Sequence, residues 1–450
     1  MKAKLHLVFS ITILFSCFSS HGQQAYWKSL PKTSELRTVS LQHVGEAKRV
    51  FGLQKDLLSK KLDGLHANKG GELVYFPDAE GEVVPFNLEE TPVFHPDLAR
   101  KYPQIKSYTG SSPDGRYRIK VRSSPKGLES MVLDLENQKT AFMEPASNAE
   151  DTYVLYTSGE REEPLQFICE TQGALSESSK LIVPLVDDGQ LRKYRVAIST
   201  TGEYTAYHGG TKAGALAAIN ATLTRVNGVF ERDLGVSLEL VAENDTVIFT
   251  DPVTDPYSSS FNSQVQNTLT SRIGEANYDV GHLFHRVSSP TQNNGKAGFI
   301  GSVCVDNRKG SAFSSASLPQ GDGFDLDFVA HELGHQFGAN HTWSFESEGS
   351  GVQAEPASGS TIMGYAGIVT GNNVSSSGDD YFHFYSILQI ATYLEGTTCA
   401  QVLALTNQPP VVDPVGDQII PMGTASAPRR ATTRRASPAP PPRSACGRSW

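Results

Sequence analysis

In the run Asp325-Leu-Asp-Phe-Val-Ala-His331-Glu332-Leu-Gly-His335-Gln-Phe-Gly338-Ala-Asn-His341, the spacing of three histidines limits what the chain can fold into. On a helix, His331 and His335 leave the same face one turn apart, where two imidazoles reach a single metal ion. Glu332 stands beside them. Asp325 or Asp327 suits the N-cap or first turn of this helix, which is expected to run to about Phe337, where Gly338 takes the positive φ that ends it. The turn that follows returns His341 as a third nitrogen and leaves a fourth tetrahedral position to water, the open coordination of a catalytic zinc. With 12 His and 40 Gly in 450 residues, the full pattern H-E-x-x-H-x-x-G-x-x-H arises by chance less than roughly once in ten thousand such chains. The competing reading is an accidental register of three histidines.

The same run resembles the long zinc signature of the metzincin peptidases, whose second mark is a methionine turn beneath the metal. Ser358-Gly-Ser-Thr-Ile-Met363-Gly-Tyr365-Ala-Gly367 is similar to that turn. From His331 through Tyr365 the chain resembles the bacterial secreted branch of the reprolysin-like metzincins. Two departures stand out. Thr342 follows the third histidine, where snake-venom reprolysins have Asp. Tyr365, two residues past Met363, follows astacins and serralysins instead, whose phenol binds the metal or the transition state. The resemblance implies one catalytic Zn2+ held by His331, His335 and His341, with Glu332 as general base and Tyr365 near the oxyanion. It also implies protein or peptide substrates. Calcium, which such domains can hold, is assigned to no residues. Met363 as an ordinary core methionine and Tyr365 as a structural phenol remain the plain alternatives.

Taken in order, residues 1–22 read as an export signal: Lys2 and Lys4, then an apolar run through Val8, Phe9, Ile11, Ile13, Leu14 and Phe15 that is too short to span a bilayer. Secretion is the expectation, with no membrane span. Cys17 as a lipid anchor is the weaker reading. A formal charge of −9 without a basic block argues against nucleic acid as a partner.

Residues 23–188 carry period-two apolar runs, among them Leu73–Phe76, Val83–Phe86, Tyr117–Val121, Met131–Leu133 and Tyr153–Tyr156. These predict antiparallel strands, after a helix over Glu46–Leu62. The stretch from Thr91 to Gly110 resembles the propeptide of the same peptidase branch, so the domain is expected to shield the enzyme and act as its own inhibitor. An independent binding domain is the alternative. Cys169 can offer a thiolate to the zinc and displace its water, the latency device of related peptidases; a silent thiol is the alternative.

The catalytic domain is expected over residues 189–405. Its fold class is α/β (α+β), a twisted and mostly parallel sheet with an active-site helix, because strands at Lys193–Ile198, Val236–Val241 and Val280–Phe284 alternate with helices. One helix shows an apolar stripe at Leu216, Ile219, Leu223, Val226 and Phe230 and closes at Gly235; another is expected near Ser263–Gly274. His282 and His285 show no ligand spacing. The glycine-rich Gly295–Val303 segment is expected, by resemblance, to supply the substrate-binding edge strand, with Gly298, Phe299 and Ile300 at its centre. Cys304 and Cys399 form a disulfide or stay as two free thiols. Asp379 or Asp380 is expected to cap a last helix through His383–Ala391.

Residues 406–450 open like the first strand of an immunoglobulin-like repeat and then turn to Pro, Arg, Ala and Ser, a composition without a core. A frameshift and a genuine basic tail are the two readings. For the whole chain, a secreted zinc-bearing adhesion module without turnover and a non-peptidase zinc hydrolase stand beside the endopeptidase.

Overall fold

The structure, a computed structural model, describes residues 26–31, 40–41, 44–46, 49–67, 70–146, 149–158, 166–172, 188–347 and 352–405, and the backbone of 411–412 and 433–434. The expected export signal lies outside the described residues, as does the composition-biased tail apart from the backbone of 433–434.

The alternating runs of the N-terminal half form nine strands: β1 (Trp27–Leu30), β2 (Arg49–Leu53), β3 (Glu72–Pro77), β4 (Val83–Glu90), β5 (Lys106–Ser111), β6 (Tyr117–Ser124), β7 (Gly127–Asp134), β8 (Lys139–Pro145) and β9 (Thr152–Thr157). They make one sheet in the order β1-β2-β9-β8-β7-β6-β5-β4-β3, with every pair antiparallel. Successive side chains leave opposite faces of a strand. On β7 and β9, Val132, Tyr153 and Leu155 therefore enter a core of their own with Phe76, Phe86 and Val121. Met131, Leu133, Val154 and Tyr156 enter a second core shared with the C-terminal half. The helix expected over Glu46–Leu62 is corrected to α1 (Lys55–Asp63). Its predicted first half is β2, because Val50 and Phe51 pair with Val154 and Tyr153, partners a hundred residues away that no local pattern announces.

The second sheet is built from β10 (Ile168–Cys169), β11 (Gln190–Thr200), β12 (Val236–Leu240), β13 (Val280–Arg286), β14 (Asn294–Ala297), β15 (Ala312–Ala316) and β16 (Gln401–Ala404). Its order is β10-β14-β15-β13-β11-β12, with β16 beside β11. The β11, β12, β13 and β15 strands run parallel; β14 is antiparallel to β15, and β16 is antiparallel to β11. The expected mostly parallel sheet thus describes this half alone. α2 (Lys212–Leu234) packs on it: the hydroxyl of Thr211 caps its start, the predicted apolar stripe is buried, and Gly235 ends it in the left-handed conformation, φ 61°. α3 (Phe261–Arg272) lies against another part of the sheet. Cys304 and Cys399 are joined by a disulfide. Among the described residues no helix is long and apolar enough to cross a membrane.

The two halves meet along both margins of the second sheet. On one margin Phe94 bridges Leu240 in parallel, with Leu240 N donating to Val93 O at 2.8 Å and His95 N donating to Leu240 O at 2.8 Å. On the other, β10 lies parallel to β14. Between the margins, buried Arg225 of α2 donates to Glu144 of β8 at 2.6 Å and to Asp325 at 2.9 Å.

Candidate metal centre

The site helix begins earlier than its sequence suggests and in another form. Gly323–Ala330 is a π-helix that continues as α4 (His331–Gln336). Asp325 is not the N-cap: it is buried, accepts from Arg225 and from the hydroxyl of Thr222 at 2.6 Å, and is inside the helix. Burial pushes its pKa up to about 6 against the pull of Arg225. The helix stops at Phe337, and Gly338 takes φ 110°. Its last carbonyls are satisfied by the loop that follows β14, where Gly301 N donates to His335 O and Ser302 N to Gln336 O, both at 2.8 Å.

The turn brings the third histidine to the first two. Nε2 of His341 lies 3.2 Å from Nε2 of His331 and 3.0 Å from Nε2 of His335. The far nitrogens are held by backbone: His331 Nδ1 donates to Ile362 O at 2.6 Å, and His335 Nδ1 to Ala339 O at 2.8 Å. Each of these bonds fixes the tautomer, leaving a lone pair on Nε2. Burial and the neighbouring histidines pull His331 down to about 3 and His335 well below the usual imidazole range, so both rings are neutral. The Nε2 lone pairs of His331 and His335 meet Nε2 of His341 in a buried space, an arrangement that a cation between the three nitrogens stabilises. The donor set therefore fits a metal ion, and its chemistry fits zinc.

Met363 is buried beneath the helix. A Cβ on Gly334 would come within 2.6 Å of its Sδ, so glycine in the H-E-L-G-H run is what lets the methionine turn approach. The turn also supplies the Ile362 carbonyl. The hydroxyl of Tyr365 is 3.1 Å from His341 Nε2.

Glu332 is fully buried, which pushes its pKa up to about 7 against the hydrogen bonds it accepts. Its Oε2 accepts from Ala297 N at 2.7 Å and from the hydroxyl of Thr171 at 2.9 Å. Its Oε1 has no hydrogen-bond partner among the described residues, and a Cβ on Gly295 would come within 2.5 Å of that oxygen. An unpartnered carboxylate oxygen beside three metal-type nitrogens is where a polar ligand belongs.

Cys169 comes from the N-terminal half and joins the group. Its Sγ lies 3.6 Å from His335 Nε2, and one ligand atom from each of Cys169, His331, His335 and His341 falls within 4.8 Å of the others. Burial, then the Glu332 carboxylate, pushes its thiol well above the ordinary range. The segment around it is seated as an extra strand: Ile168 N donates to Asn293 O at 3.2 Å and Glu170 N to Gly295 O at 2.8 Å. Phe167 stacks on Phe328 at 4.0 Å and meets His331 edge-on at 6.0 Å.

The edge strand needs a correction. Gly298, Phe299 and Ile300 lie past its end, in bends, and β14 itself is Asn294–Ala297. Phe299 is instead exposed beneath the Arg308 guanidinium. The cap of α5 (Phe384–Glu395) is corrected as well: the side chain of His383 accepts from Tyr385 N, while Asp379 accepts from Ser360 and Asp380 from Ser158. His282 bonds Gln336 and Ser314 inside the core and joins no metal group.

Sequence reasoning missed Thr171, Phe167 and the carbonyls of Ile362 and Ala339. A carbonyl leaves no mark on a sequence. Thr171 had one: two residues past Cys169 in an extended segment, it leaves the same face.

Residues 191–394 match the family model described as metallo-peptidase family M12B, reprolysin-like. The match spans all three histidines, Glu332, Met363 and Tyr365 and supports a metallopeptidase; it stops short of Cys169 and the first sheet. No curated protein matches the chain.

Proposed function

We propose that the chain is a secreted zinc-dependent endopeptidase made in a self-blocked form. The observation that carries this reading is the convergence of three buried imidazole nitrogens beside a buried carboxylate with one unpartnered oxygen. A zinc ion held by His331, His335 and His341 would supply Lewis acidity to a scissile carbonyl and acidify a water molecule. Glu332 takes the proton from the attacking water and delivers it to the leaving amine. Ala297 N, bonded to the other carboxylate oxygen, keeps Glu332 aimed. Tyr365 donates its hydroxyl to the developing oxyanion. Once β10 has left it, the outer margin of β14 takes the substrate as an added strand, through the backbone groups that Ile168 and Glu170 use here.

Residues 23–188 act as the inhibitory propeptide. Cys169 offers sulfur at the fourth ligand position, Thr171 covers the base, and β10 takes the place of substrate on the edge strand. Glu332→Ala is the test. Processed protein carrying it should retain zinc and lose casein cleavage, while wild type cleaves casein until a chelator is added. Retained cleavage in the variant overturns the assignment. Wild-type protein that holds zinc, lacks residues 23–188 and cleaves nothing would favour an adhesion module.

A further inference from the structure

We infer that Glu355 is a positioning residue for the metal site, tying the third histidine to the methionine turn. The inference rests on the reading of His341 as a ligand. His331 and His335 are fixed by their helix, but His341 sits in a stretch with neither helix nor strand, 337–347. What holds it is its neighbour. Thr342 N donates to Met363 O at 3.2 Å, Glu355 N donates to Thr342 O at 2.8 Å, and the Thr342 hydroxyl donates to Glu355 Oε2.

The same carboxylate grips the other side of the site. Its Oε2 also accepts from the Thr361 hydroxyl, and its Oε1 accepts from Ser360 N at 2.9 Å and Thr361 N at 3.1 Å. Thr361 precedes Ile362, whose carbonyl orients His331. One side chain therefore joins the residue after the third ligand to the residue before the carbonyl that sets the first. Glu355 is buried, and among the described residues it makes no ion pair. Burying an anion is costly unless hydrogen bonds compensate, and four donors converge on this one. The chain is shaped to allow it: Gly359 wraps the carboxylate at φ 67°, and a Cβ there would come within 3.0 Å of Glu355. Where the resembled venom enzymes carry an acid directly after the third histidine, this chain has Thr342 and brings an acid in from thirteen residues along.

The experiment measures zinc affinity, so it does not depend on turnover. Full-length protein carrying Cys169→Ala, which leaves only the three histidines, is titrated against a chromophoric chelator. Adding Glu355→Ala should weaken zinc binding by roughly 10- to 100-fold, the range for groups that orient a ligand. Thr342→Val should weaken it several-fold, and the two changes together should weaken it no more than Glu355→Ala alone. If Glu355→Ala fails to fold, Glu355→Gln, which replaces one acceptor oxygen with a donor, should show the loss instead. An unchanged zinc affinity with a lowered metal-free Tm overturns the inference and leaves only a structural role for Glu355. A parent protein that binds no zinc overturns the metal assignment itself.

Discussion

Replacing Phe167 with Ala should loosen the blocking segment without touching the metal ligands. The ring is 3 % exposed and lies nearly parallel to Phe328, 17° between planes at 4.0 Å. Truncating a buried phenylalanine costs about 3–5 kcal/mol, of which the stack itself contributes about 0.5–1.5 kcal/mol. At about 1.4 kcal/mol per tenfold, the open fraction of residues 166–172 rises by roughly two to three and a half powers of ten. The backbone bonds of Ile168 and Glu170 and the Thr171 contacts remain, so the loss is local. Cys169 reports it directly, being the free cysteine inside that segment. In metal-free protein, where the segment closes faster than the reagent attacks, alkylation of Cys169 tracks the open fraction. Peptide mapping of a time course should show Cys169 modified at least ~100-fold faster in the variant. A change below threefold would refute the reasoning, since the ring would then not be what holds the segment down.

Two further outcomes follow from contacts near the site. Gly295→Ala would set a Cβ 2.5 Å from Glu332 Oε1 on the backbone of β14; the displaced carboxylate should lower casein turnover in processed protein by roughly 100-fold while zinc content holds, and full turnover would show that the cleft yields easily. Asp325 gives a pH signature. Its folded pKa, about 6, lies above the ordinary 3.8, so its contribution to stability is complete below pH 4 and lost as pH rises through 6. At about 1.36 kcal/mol per unit this approaches ~3 kcal/mol. Denaturant titrations of wild type and Asp325→Asn should show wild-type stability falling relative to the variant over that interval, and parallel curves would contradict it.

The features legible in the sequence are those whose partners are close in the chain. The two helical histidines, the break at Gly338 and the stripe on α2 all follow from a 3.6-residue period and a single positive φ. His341 needed only the turn. What was misread had distant partners. Val50 and Phe51 look helical until Val154 and Tyr153 are known to lie beside them. Asp325 looks like a cap until Arg225 arrives from a hundred residues earlier. Asp379 and Asp380 are claimed by Ser360 and Ser158, which leaves His383 to cap α5. The edge strand was expected by resemblance over Gly295–Val303 and ends at Ala297, and glycines at 295, 298 and 301 leave no alternation that would have marked that end. Glu355 gave no sign at all, since a buried acid among threonines reads as a surface loop until its four donors are in place.

The pairing of the first half with both margins of the second sheet separates two events that a single cut might seem to merge. Severing the chain between 172 and 188 would leave residues 93–95 laced to β12 and residues 168–169 laced to β14, so the nicked protein would stay assembled. Departure of the N-terminal piece would then be a dissociation with its own rate, set by salt bridges such as Arg225–Glu144 and by two strips of backbone. Once it has left, two raw strand edges face solvent at once, and the protein would trade a quiet surface for one prone to stick to its own kind.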